Sequence, residues 1–178
     1  MSSKVNKKAF SEERTWMKIS KIDINHLTEQ DIKTLIDAEK HPTNVLRYRE
    51  IINQIEQTLI LSSNSYKCLV KDKVRNIIYD FHVHMTPIAT IFSIGLMFRD
   101  NKYHLVRLDF GENLRHTNYA NTEHSVVIYG SHAHFNAPSG KYSPKNVVPI
   151  GNISEFKNIK KIRDALIEFI DYSNIRKK

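Results

Sequence analysis

Residues 103–135, YHLVRLDFGENLRHTNYANTEHSVVIYGSHAHF, decide how this chain is read. Val106, Leu108 and Phe110 fall in one phase of an alternation, and Arg107 and Asp109 in the other. Strand side chains point to opposite faces in turn, so residues two apart share a face. His132 and His134 repeat the pattern against Ala133 and Phe135. Upstream, His82 and His84 repeat it again against Phe81, Val83 and Met85. Seven of the nine histidines, 82, 84, 104, 116, 124, 132 and 134, lie between the outer members of these two His-x-His pairs. The pattern predicts a sheet with one apolar face and one polar, imidazole-rich face.

Working outward, the period changes. Residues 66–70, 77–85, 90–98, 103–110 and 125–135 read as strands, the last with a bulge at Gly130. Residues 71–73 and 99–102 read as turns, and 111–122 as a polar loop holding Arg115, His116 and Asn118. Residues 137–149, with three prolines and a glycine, read as a surface loop. Before residue 66 the period is helical. Thr28 and Asp31 form a capping box, Leu27 staples to Ile32, and Pro42 ends the first helix. Val45, Tyr48, Ile52, Ile55 and Leu59 mark a second helix, joined to the first as a hairpin. A last helix starts at Ser154, with Phe156, Ile159, Ile162, Leu166 and Ile170 inward, and ends near Tyr172. Residues 1–22 read as a loose basic arm and 23–178 as one domain. The class is α+β: an N-terminal helical hairpin, an antiparallel β-meander and a C-terminal helix on one sheet face.

The 178 residues suffice for one buried core. A net charge of +8 and a pI near 9.5 favour an anionic partner, with nucleic acid (RNA favoured) or an acidic protein surface expected. The single cysteine, Cys68, excludes an internal disulfide, fits a reducing cytoplasm, and sits in an apolar run that suits a core position. No leader is expected. The longest apolar run, residues 87–98, carries Thr90, Ser93 and Gly95 and suits a buried strand, so no membrane partner is expected.

Four readings compete for the polar face. RNA cleavage needs a group to take a proton, a group to give one, and a cation for the phosphate. Imidazole does both proton tasks near neutral pH. His132, His134, His116 and Arg107 supply these types, and Asp109 can fix a tautomer or hold Arg107. A metal site is the second reading, with two nitrogens from a His-x-His pair and Asp109 or Asp80 completing the set. The glutamate that a cupin places after such a pair is missing from Phe135-Asn136-Ala137-Pro138. The third is a phosphoesterase. His84-Met85-Thr86 matches the His-x-Thr signature once, and Asn136 stands where a histidine-triad hydrolase has its third histidine. The fourth is a solvated surface in which Arg107 and Asp109 are an ordinary ion pair. His26, His41 and His104 read as structural.

Arg107-Leu-Asp109, His116-x-Asn118, Gly130-Ser-His132-Ala-His134-Phe and the terminal helix through Tyr172 resemble a small bacterial and phage family described only as a domain of unknown function. The resemblance covers roughly residues 65–175 and departs at Tyr119, where the family has proline. It implies a phage or mobile-element context and a shared polar set of Arg107, Asp109, His116, Asn118, His132 and His134. The resulting expectation is a small RNA-acting or RNA-binding protein, a candidate metal-independent endoribonuclease with no cofactor. Its catalytic residues would be His132, His134, His116, Arg107 and Asp109, with Asn118, His82, His84 and Arg115 binding. The alternative is a non-enzymatic binding module or inhibitor of a host protein or nucleoprotein. No metal ligand set is expected for folding, since no cysteine pair can close a structural site.

Overall fold

A computed structural model describes residues 22–43, 64–86, 91–136, 145–157, 159, and 162–176. Helix α1 spans Glu29–Asp37. Its capping box is reciprocal: the Thr28 hydroxyl accepts from the Asp31 amide at 3.1 Å, and the Asp31 carboxylate accepts from the Thr28 amide at 2.9 Å. Leu27 and Ile32 are both buried, as a hydrophobic staple requires. Pro42 is not the terminator. The chain leaves helical geometry at Ala38, with ψ 135°, and Pro42 lies in the two-residue strand β1, His41–Pro42. The expected second helix and the basic arm lie outside the described residues, apart from Ile22 at the arm's end.

Strands β2 (Asn64–Asp72), β3 (Ile77–Met85), β4 (Phe92–Phe98) and β5 (His104–Phe110) form the antiparallel meander. The turn after β2 is organised by Asp72, whose buried carboxylate accepts the amides of Val74 and Arg75 and the Arg75 guanidinium. Three expectations need correction downstream. Part of the predicted loop at 111–122 is a strand, β6 (Arg115–Asn118), paired with β7 (Val126–Tyr129) in a separate two-stranded sheet. Gly130 is therefore a break rather than a bulge. Its φ of 79° turns the chain from that small sheet into β8 (His132–Phe135) of the main one. The predicted loop at 137–149 ends in β9 (Val147–Pro149), which pairs with β8. The main sheet runs β1-β2-β3-β4-β5-β8-β9, antiparallel throughout.

The C-terminal helix also starts later than expected. Ser154–Phe156 is a 3-10 turn, and α2 spans Ile162–Tyr172. Both helices lie on the apolar face, with α1 packing against β5 and α2 against β4. There Tyr79, Phe81, Val83, Ile94, Leu96, Leu108, Ala133, Phe169 and Ile170 share one core with Leu35 and Ile32. Phe81 and Phe169 meet at a ring distance of 6.0 Å.

Two further details shape the sheet. Leu96 pairs with Val106 but Met97 with His104, so Leu105 is an extra residue in β5. Leu105 and Val106 are both fully buried, and His104 leaves the apolar phase to lie 5.2 Å from the His82 ring on the polar face. The second detail is Lys40. Its ammonium is fully buried and donates to the carbonyls of Ile36, Ala38 and Ser173 at 3.0, 2.8 and 2.8 Å. It thereby caps the C-terminal ends of both helices, where orphan carbonyls and the helix dipole favour a cation. The Lys40 amide donates to Asn174 and its carbonyl accepts from Arg176, so backbone and side chain bind the same two ends.

Lys40→Met is expected to destabilise the fold by roughly 2–4 kcal/mol, because three buried carbonyls lose their donor. The midpoint of a urea titration should fall with no change in slope. Burial lowers the Lys40 pKa from 10.5 to about 7, against the pull of Asp72 and Asp37. The unfolded chain then binds more protons between those two values, so this residue's contribution to stability rises with pH across that window. The stability difference between the native protein and Lys40→Met should widen as the pH is raised from about 7 toward 10.5.

Candidate functional site

Register places the polar residues on two rungs that cross the sheet. One rung runs Ser65, His84, Ser93, Asp109, His132. The other runs Lys67, His82, Gly95, Arg107, His134. Adjacent strands lie about 4.8 Å apart, so neighbours on a rung can touch. They converge on one atom, Asp109 Oδ2. Arg107 donates to it through Nε at 3.2 Å and NH2 at 2.8 Å. His134 Nε2 lies 3.1 Å from it and His132 Nε2 3.8 Å. His134 Nε2 also lies 3.0 Å from Arg107 NH2. An arginine only donates and a carboxylate only accepts, so the proton on His134 Nε2 chooses between these neighbours. When Nε2 carries the proton it donates to Asp109; when it does not, it accepts from Arg107.

The third imidazole arrives from the small sheet. His116 Nε2 donates to the Lys145 carbonyl at 3.0 Å, which leaves Nδ1 as its acceptor. His132 Nδ1 donates to the Gly130 carbonyl at 2.8 Å, which leaves Nε2. The three rings form a nearly equilateral triangle. Centroids are 5.6 Å apart for His116–His132, 5.3 Å for His116–His134 and 5.2 Å for His132–His134. One nitrogen of each lies within 4.8 Å of one nitrogen of both others.

Burial, ahead of the neighbouring His134 and His116, lowers the His132 pKa, against the Gly130 carbonyl, which favours the charged ring. Burial alone would raise that of Asp109. The hydrogen bond from His134 and the charge of Arg107 outweigh it and hold the carboxylate below its ordinary value. The site therefore sets an ionised carboxylate beside one imidazole, His132, whose charged form burial disfavours.

These residues line a cleft of about 330 Å³, together with His84, Thr86, Ser93, Leu114 and Arg115. A larger cavity, about 710 Å³, lies on the opposite side beside α1 and α2. Its lining carries carboxylates and Lys33 but neither histidine nor arginine among the described residues.

All five expected catalytic residues thus meet. The expected binding residues divide. His84 and Arg115 line the cleft, and His84 Nδ1 lies 2.9 Å from the Ser65 hydroxyl. His82, on the same strand as His84, stands outside the cleft lining, its ring laid over Gly95 and edge-on to His104. An alanine Cβ at position 95 would stand 2.8 Å from that ring. Burial lowers the pKa of both His82 and His104, the latter to about 4. Asn118 is buried and engaged elsewhere. Its side chain donates to the Val147 carbonyl at 2.8 Å and accepts the Val147 amide at 2.7 Å, as a neighbouring strand would. The sequence names Thr86 only within the His-x-Thr signature and does not single out Ser93. The signal for Ser93 was present, since it shares the parity of Gly95 in a strand whose other phase is apolar.

No curated protein and no solved structure gives a match to this chain. A family profile does match, over residues 27–175. That span is most of the chain and contains both His-x-His pairs, Arg107, Asp109 and His116. The chain belongs to the family of unknown function DUF6978.

Proposed function

We propose that this protein acts on RNA, cleaving a phosphodiester in the cleft between β5, β8 and the small sheet. The observation that carries the reading is the convergence of Arg107, Asp109 and the His116, His132 and His134 imidazoles on a single open cleft that His84 and Arg115 also line. Arg107 suits the phosphate. Its Nε and NH2 are held on Asp109, the side chain is one-third exposed, and a planar guanidinium matches phosphate geometry. The imidazole cluster supplies the groups that activate the attacking oxygen. The net charge of +8 supports a polyanionic substrate.

A binding module without catalysis is the second reading. It is favoured by the small sheet, where Tyr129 is 71% exposed, Val126 46% and Tyr119 45%. Arg115 lies 6.0 Å from the Tyr129 ring centre, an arrangement that suits stacking on an unpaired base.

Incubation of the purified protein with total RNA, then with defined single-stranded oligonucleotides, separates these. Cleavage supports the enzyme. Intact RNA retained with a steep salt dependence supports the binding module. The absence of both cleavage and retention rules RNA out as the partner. Given cleavage, His134→Ala is expected to lower turnover roughly 10²–10⁴-fold, since proton management at the attacking oxygen is lost. Its circular dichroism should be unchanged, because the imidazole lies outside the apolar core. Arg107→Lys is expected to lower kcat/KM by about tenfold or more, as lysine cannot hold Asp109 and a phosphate through a planar fork.

A further inference from the structure

We infer that His116, His132 and His134 form a three-nitrogen site for a divalent transition metal of the zinc class, open on its fourth side to the cleft. This deepens the RNA reading by naming how the cluster would act, and it replaces the expectation of a metal-independent, cofactor-free site. Ion uptake itself does not depend on what the cleft acts upon.

Four observations carry it. The first is spacing: one nitrogen from each ring lies within 4.8 Å of the other two. Tetrahedral zinc with bonds of about 2.0–2.1 Å needs donors roughly 3.4 Å apart. Small side-chain rotations supply the difference, and His116 and His134 are only half-buried.

The second is the state of the other ring nitrogens. Metal-binding histidines give their second N–H to a carbonyl or carboxylate, which fixes the tautomer. His132 Nδ1 has the Gly130 carbonyl and His116 Nε2 the Lys145 carbonyl, while His134 Nε2 faces the Asp109 carboxylate, so an ion would take Nε2 of His132 and Nδ1 of His116 and His134. Each acceptor is already in place, and three separate segments of chain provide them.

The third is donor type. Three imidazoles select zinc, cobalt, nickel, copper or iron over magnesium or calcium, which prefer oxygen. The fourth is the number of ligands. Three protein ligands beside a cleft are the pattern of an open, reactive site, whereas a structural zinc is closed by four. The fold has its own apolar core across the sheet, so the ion is not required to hold it together.

Arg107 is the unfavourable neighbour, since a guanidinium repels a cation. Asp109 bonds it at 2.8 Å and returns a negative charge to the same corner. In that setting a bound ion would act as a Lewis acid beside a phosphate held by Arg107.

The test is direct. Chelator-treated, refolded-free native protein is titrated with Co²⁺ and followed by visible absorption, and with Zn²⁺ by calorimetry. The expected result is one ion per chain with the visible bands of a low-symmetry cobalt site. His116→Ala and His134→Ala should each weaken binding by more than roughly 100-fold, because even loss of an outer partner costs about 10–100-fold. Asp109→Asn tests that outer partner and should weaken it about 10–100-fold, which also covers the case in which a histidine variant fails to fold. His124→Ala is the control, since His124 is exposed and outside the triangle, and should bind as the native protein does. A folded native protein that takes up neither ion overturns the proposal, as does uptake that survives in His116→Ala and His134→Ala. RNA cleavage that persists in chelated protein would leave the RNA reading standing and remove the metal from it. Ion binding without any action on RNA would do the reverse.

Discussion

Asp109 stands opposite His132, and Arg107 opposite His134, because β5 and β8 pair in one register and no other. Everything in the cleft follows from that pairing. A shift by one residue would send both histidines into the core and bring Ala133 and Phe135 out. The apolar face forbids it, since Leu108 and Ala133 are fully buried beneath the helices. The hydrophobic effect on one side of the sheet therefore sets the electrostatics on the other. Once the register is set, a single carboxylate oxygen orients a guanidinium and two imidazoles.

Much of this was legible in the residues. Strand β3 was readable to its last residue because Tyr79, Phe81, Val83 and Met85 alternate with polar neighbours without interruption. Arg107 and Asp109 fell on the polar face for the same reason. His132 and His134 were placed on the correct face by a wrong route, a continuous strand across Gly130. The parity of a His-x-His pair survives that error, since it depends only on spacing. What failed was non-local. Arg115-His116-Thr117-Asn118 contains no apolar residue, so nothing in it announces a strand. It becomes one through pairing with Val126–Tyr129, eight or more residues away. The short β9 is hidden by a proline at its end, and His104 by a bulge that changes parity without any glycine to mark it. Asn118 looked like a ligand-binding residue and is a structural one. Its role depends on Val147, which sequence cannot place beside it.

Lys40 illustrates how the periphery is joined to this sheet. The two described helices both end at its ammonium, and β1 begins one residue later. Its backbone bridges to Ile175 in the one parallel contact among the described residues. The C-terminal ends of the two helices are thus fastened behind Tyr79, whose ring lies 5.7 Å from the ammonium. No residue of this clasp reaches the cleft. Changes to it should alter how firmly the domain is built and leave the polar face its shape.

The clamp made by Asn118 has a different bearing. Among the described residues the small sheet has no backbone ladder to the main one. It is moored to β9 through the Asn118 carboxamide, to Lys145 through the His116 ring, and at its end by the Tyr119 amide, which donates to the Asn146 carboxamide. Such a mooring can let go while the core stays shut, as a local opening far cheaper than global unfolding. In the let-go form one corner of the imidazole triangle is gone, and the other two stay rigid on β8. The cleft thus joins two parts held differently: β5 and β8 by a backbone ladder, His116 by side-chain bonds. Amide protons of β6 and β7 would exchange with solvent on a shorter timescale than those of β5, and any occupant that touches His116 would slow them.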